Sequence, residues 1–126
     1  MSSEIFLCDF QKIDIRIGTV LDATIPSWSH WVMKLTVDFG PEIGVKTVFA
    51  GIMKFYVPEE IIGRQFPFVV NLVPKKIGPK DENGIQNYSE GMLLAANFVS
   101  DDKDPEKNKP VLFSLSEKVP NGTKVI

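Results

Sequence analysis

Few side chains in this 126-residue sequence could take part in a reaction, and that scarcity narrows the function. There is one histidine, His30, and one cysteine, Cys8. Nucleophilic catalysis needs a nucleophile with a base in hydrogen-bond reach. His30 sits within Ser27-Trp28-Ser29-His30-Trp31, a stretch that reads as a plain loop. A zinc site needs clustered Cys and His ligands at characteristic spacing, and the sequence has no such cluster, so neither a metal nor a cofactor is expected. The adjacent acids Glu59-Glu60 and Asp101-Asp102 read as solvated charges, with no apolar setting to raise a pKa. No Gly-rich loop opens a helix in the pattern that cradles nucleotide phosphates. The chain is therefore predicted not to be an enzyme.

Binding chemistry is better represented. Val70-Asn71-Leu72-Val73-Pro74 is an apolar run that ends in proline and is followed by two adjacent lysines, Lys75 and Lys76. Ser89-Glu90-Gly91 then leads into a second apolar run, Met92 to Phe98. Cations beside hydrogen-bonding side chains suit a polyanion or an extended chain as ligand. Each lysine could neutralise a phosphate, or could simply keep a loop solvated. Asn71 either ties down the neighbouring loop or turns towards a ligand, since buried amides need partners. Ser89 and Glu90 could cap that loop or offer a donor and an acceptor. Trp28 and Trp31 could stack on bases, although packing is the more common use of tryptophan.

The elements that must position these residues are strands. Ile13, Ile15 and Ile17 alternate with Lys12, Asp14 and Arg16, and Met33, Leu35, Val37 and Phe39 alternate with Lys34, Thr36 and Asp38. Both are the period-two pattern of a half-buried strand. Gly18 is expected to mark a bulge or bend in the first. A third strand is predicted over Val45 to Ala50. Pro58-Glu59-Glu60-Ile61-Ile62-Gly63 reads as one helical turn with its start and stop residues in place. Phe66 to Val73 and Met92 to Phe98 read as strands buried on both faces, and Val111 to Leu115 as a sixth strand. Gly78 to Tyr88 and Val99 to Pro110 are surface loops by composition. The pattern predicts an all-β domain, a small closed or partly closed barrel such as the OB-fold, with a two-sheet sandwich as the alternative.

Size and charge set the limits. The length suits one domain with a single core. No apolar run approaches a membrane span, the first residues lack a signal-peptide pattern, and one cysteine fits a reducing cytoplasm. The net charge of −2 argues against a strongly basic binder. The acidity gathers near Asp101, Asp102, Asp104 and Glu106, whereas Asn71 to Lys80 holds Lys75, Lys76 and Lys80 and no acid. A local basic patch of this kind predicts moderate, salt-sensitive binding.

Four separated motifs add a resemblance that covers residues 9–126. Asp9-Phe10-Gln11-Lys12-Ile13-Asp14-Ile15-Arg16-Ile17-Gly18, Tyr56-x-Pro58-Glu59-Glu60-x-x-Gly63, Asn71-Leu72-x-Pro74-Lys75-Lys76 and Ser89-Glu90-Gly91-Met92 resemble the signatures of the tRNA-binding domain family. That family includes stand-alone tRNA-binding proteins, the C-terminal domain of methionyl-tRNA synthetases and the CsaA secretion chaperones. Lys34 to Lys46 and Val119-Pro120-Asn121-Gly122-Thr123-Lys124 resemble the CsaA branch most. The resemblance implies a five-stranded Greek-key OB barrel with short helical turns and a C-terminal strand extension. It implies a homodimer that binds tRNA, with Lys34, Lys46, Lys75 and Lys76 on phosphates and Asn71, Ser89 and Glu90 shaping the contact loop. Unfolded polypeptide, or an aminoacyl-tRNA synthetase, is the alternative partner it suggests. The sequence departs from the family in the long stretch Gly78 to Tyr88, in Ala50-Gly51 and in the Trp-rich run 27–31, all near the expected binding face.

Overall fold

Alternation decides the first two strands. In the computed structural model, which describes residues 3–99, 103–104 and 107–126, β1 runs Ile15–Thr24, β2 Met33–Asp38 and β3 Val45–Ala50. Ile15, Ile17, Met33, Leu35 and Val37 all point into the core. Their lysine, arginine and threonine neighbours lie on the other face. A one-turn helix α1 (Leu7–Phe10) precedes β1, and α2 (Gly40–Ile43) joins β2 to β3. The turn read at Pro58 is α3 (Pro58–Ile61), with the Val57 N–H donating to Glu60 Oε1 at 3.0 Å. Ile61 is fully buried and seats this helix on the core.

After α3 come β4 (Gln65–Val69), β5 (Lys75–Ile77), β6 (Asn87–Ser89), β7 (Met92–Leu93), β8 (Ala95–Phe98) and β9 (Lys109–Leu112). The main sheet is antiparallel, in the order β3-β2-β1-β4-β7. It curls into a nearly closed, five-stranded OB-like barrel, as expected. The long β1 makes this possible. Its first half pairs with β4 and its second half with β2. Phe39, Phe66 and Phe68 fill the interior, and the Phe39 and Phe68 rings meet edge to face at 5.2 Å. Each such side chain contributes about 1.5–3 kcal/mol by burial.

Several expectations are corrected. The irregularity in β1 lies between Val20 and Asp22 and not at Gly18. Gly18 is a close-approach position: a Cβ there would lie 2.5 Å from Val37 Cγ1 and 2.7 Å from Phe39 Cε1. The apolar run Phe66 to Val73 stops being strand at Val69. Leu72 and Val73 are exposed, because the chain leaves the barrel wall before Pro74. Met92 to Phe98 divides into β7, which completes the barrel, and β8, which pairs with β9 in a separate two-stranded sheet. The last strand begins at Lys109, two residues earlier than the sequence suggested. Asp101, Asp102 and Glu106 lie outside the described residues.

The C-terminal segment returns along β1. Ile17 N–H donates to the Thr123 carbonyl at 2.9 Å, and Val125 N–H to the Ile15 carbonyl at 2.9 Å. Gln65 Nε2 donates to the carbonyl of Val119 at 2.6 Å, and Thr19 Oγ1 to Asn121 Oδ1 at 2.7 Å. The run Val119 to Lys124 thus belts the base of the barrel. Arg16 (side chain 17 % exposed) joins it, donating to Asp14 Oδ1 at 2.7 Å and to the Gly122 carbonyl at 3.1 Å. The Asp14 hydrogen bond holds the Arg16 guanidinium above its ordinary pKa. No helix among the described residues is long and apolar enough to cross a membrane.

Candidate functional site

The barrel is not closed by a backbone ladder at the β3–β7 seam. It is stapled by the dipeptide Ser89-Glu90. Ser89 is buried, and its Oγ accepts the Phe49 N–H at 3.0 Å while donating to the Gly91 carbonyl at 3.0 Å. Glu90 Oε1 accepts the Thr47 N–H at 3.0 Å, and the Glu90 N–H donates to the Thr47 carbonyl at 2.8 Å. Edge groups of β3 that no strand covers are satisfied this way. Glu90 Oε2 also lies 3.7 Å from Lys46 Nζ, so Lys46 has an anionic partner at the seam.

Asn71 plays the tethering part that its sequence position allowed. Its Oδ1 accepts the Asp14 N–H at 2.9 Å, and its Nδ2 donates to the Lys12 carbonyl at 2.7 Å. The amide therefore fixes the chain entering β1 to the chain leaving β4.

Lys75 and Lys76 are not in a loop, as the sequence suggested, but on β5, where Lys75 pairs with Ser89, Lys76 with Tyr88 and Ile77 with Asn87. The stretch Gly78 to Tyr88, read as a surface loop, is in part the second arm of this hairpin. The hydrogen-bonded ladder wins because Ser89 pins one arm to β3, and the other arm can then pair with it. Successive side chains on a strand leave on opposite faces, so the two lysines diverge. Lys75 lines a groove of ≈ 600 Å³ with Trp31, Leu72, Val73, Ile77 and Met92. Lys34 lines a second groove of ≈ 500 Å³, where Thr47, Pro74, Asn87, Tyr88 and Glu90 form the walls. In the β2–β3 register Lys34 faces Phe49 and Lys46 faces Val37. The two therefore leave on opposite faces, as Lys75 and Lys76 do, so the four lysines do not share one face.

Trp28 packs. Its ring lies 6.3 Å from that of Phe49, and a Cβ on Gly78 (φ +69°) would come within 2.5 Å of it. It is the prop under the hairpin. Trp31 behaves differently and is 56 % exposed. His30 is an exposed loop residue, as read. Sequence reasoning missed the apolar rim made by Leu72, Val73 and Met92, because it took those residues as buried strand. For Leu72 and Val73 the signal was Pro74, which has no N–H to give to a sheet ladder. It also missed a second exposed apolar area, where Leu7, Phe10 and Ile13 border Val125 and Ile126. Phe6 and Leu7 are 79 % and 70 % exposed there.

Residues 15–124 match the family described as "Putative tRNA binding domain". The chain is 34 % identical over 120 residues to a methionine–tRNA ligase of Porphyromonas gingivalis, covering 95 % of the chain but 15 % of that ligase. It is thus similar to a small part of a much longer protein. Among solved structures, a MetRS-related protein of Pyrococcus horikoshii superposes with a TM-score of 0.80 at 33 % identity, covering 99 % of this chain and all of the other. The chaperone CsaA of Bacillus anthracis superposes with a TM-score of 0.78 at 34 % identity, covering 98 % of this chain and all of the other.

Proposed function

Because this chain belongs to the tRNA-binding domain family, we propose that it binds folded tRNA in the cytoplasm and catalyses no reaction itself. The observation that carries this reading is the stapled hairpin, which sets Lys75 and Lys76 on a rigid strand between two grooves. Lys34, Lys46, Lys75 and Lys76 are the phosphate contacts, and Asn71, Ser89 and Glu90 hold the backbone that presents them. Divergent lysines around a ridge suit a curved, folded polyanion better than a straight strand. Recognition by shape and backbone follows from that arrangement. A filter-binding titration against salt tests it. Affinity should fall as salt rises, and the K75A/K76A double variant should lower the logarithmic slope by about 1.5–2. Affinity for tRNA no better than millimolar at low salt, or a flat salt response, would refute it.

The exposed apolar area at α1 and the C-terminus supports a homodimer, since contiguous exposed apolar surface marks interaction sites. Two linked copies would double the lysine ridge and raise affinity through avidity. Sedimentation should show a dimer at micromolar concentration, and a monomer would count against it. The apolar rim of the Lys75 groove favours one second reading, the capture of unfolded polypeptide, in line with the chaperone likeness. Binding of a neutral apolar peptide that survives K75A/K76A would support it.

A further inference from the structure

Trp31 is exposed, yet its loop is tightly held. Ser29 is buried, and its Oγ accepts the N–H groups of Trp31 at 3.3 Å and Val32 at 2.9 Å while donating to the Val32 carbonyl at 2.9 Å. The Met53 N–H donates to the Trp31 carbonyl at 3.2 Å. The clamp fixes the backbone from which the exposed indole projects. That indole lines the groove that Leu72, Val73 and Met92 continue and that Lys75 closes. Among the described residues lining this groove Lys75 carries charge and no carboxylate does. A ligand with a flat apolar part and a negative charge matches these walls.

Resting on the tRNA reading above, we propose that this groove takes one unpaired nucleotide of the RNA, its base stacked on Trp31 and its phosphate on Lys75. Several features fit together. The ≈ 600 Å³ space falls within the ~300–1,000 Å³ of small-ligand clefts, with room for a base and its sugar. Base–aromatic stacking tolerates any base, so the groove adds affinity for unpaired positions without reading sequence. The site is continuous with the lysine ridge, because Lys75 belongs to both. A fully paired RNA would engage the ridge and leave the groove empty.

The test compares Trp31→Ala, Trp31→Phe and the native protein against folded tRNA and against a blunt RNA duplex without unpaired bases. Trp31→Ala should weaken tRNA binding about five- to hundredfold with the salt slope unchanged, and should leave duplex binding as it was. Trp31→Phe should recover most of the loss. A stacked base should also quench Trp31 fluorescence in the native protein, and this quench should vanish in Trp31→Phe while binding persists. That measurement needs no destabilising variant. If Trp31→Ala binds tRNA like the native protein, or weakens tRNA and duplex equally, the groove proposal is overturned while the tRNA reading stands. Loss of a neutral apolar peptide but not of tRNA would make the occupant polypeptide and overturn it as well. If the native protein does not bind tRNA at all, the underlying reading fails and the groove proposal with it.

Discussion

Replacing Ser89 by alanine removes one oxygen and should weaken the whole seam. In the native fold that oxygen accepts the Phe49 N–H at 3.0 Å and donates to the Gly91 carbonyl at 3.0 Å. Phe49 is buried beneath Trp28, so its amide cannot turn to water once the acceptor is gone. Leaving a buried donor unsatisfied costs about 1–3 kcal/mol. The Gly91 carbonyl is partly exposed and can be rehydrated, so it adds little. A loss of about 2 kcal/mol is therefore expected, equivalent to a fall in Tm of roughly 6–10 °C for a chain of this length. Urea unfolding measures it best: the midpoint should drop with the m-value unchanged, since the surface exposed on unfolding is the same. Ser116→Ala, at an exposed serine, is the control and should stay within about 0.5 kcal/mol. A Ser89→Ala loss no larger than the control's would refute the claim that this side chain staples the barrel.

Other consequences follow from the same geometry. Glu90→Gln keeps an oxygen for the Thr47 N–H but releases Lys46. Stability should hold while tRNA affinity rises, because no carboxylate then competes for Lys46. Lys46→Ala should instead lower the salt slope by about one, and an unaltered slope in that variant would remove Lys46 from the contact. Gly18→Ala forces a Cβ against Val37 and Phe39 and should cost at least about 1–3 kcal/mol by urea unfolding. Asn71→Ala should cost about 1 kcal/mol and speed hydrogen exchange at the Asp14 amide, which loses its acceptor. Arg16 has a raised folded-state pKa, so its contribution is complete below the ordinary arginine range and lost only as pH climbs through the folded value. The stability difference between native protein and Arg16→Gln should thus be flat from about pH 6 to about pH 9.

How much of this was legible depends on how local each signal is. β1 and β2 could be read because alternation is a property of neighbouring residues, and Met33, Leu35 and Val37 obey it without exception. α3 carried its own start and stop. The hairpin was not legible as strand, since Lys75, Lys76, Asn87 and Tyr88 have no apolar face of their own. They pair because Ser89 is anchored to β3, forty residues away in sequence. Leu72, Val73 and Met92 misled for the converse reason: apolar composition marks burial on average, and here it lines an open groove. Trp28 and Trp31 sit three residues apart with similar neighbours. Nothing local separates the prop from the exposed ring; the close approach of Gly78, far along the chain, does.

The hairpin ladder also bears on how freely this part of the chain can vary in length. The Lys75–Ser89 rung is held to the wall, and past the Ile77–Asn87 rung the chain leaves the ladder. Residues 78–86 form a tip whose Gln86 Nε2 closes it onto the Gly78 carbonyl at 3.0 Å. Doubling such a segment adds only about 0.6 kcal/mol of closure entropy. The tip is therefore a graft point. It can be shortened to a tight turn, or extended to carry a new recognition element, provided that the cover it gives to Trp28 is replaced.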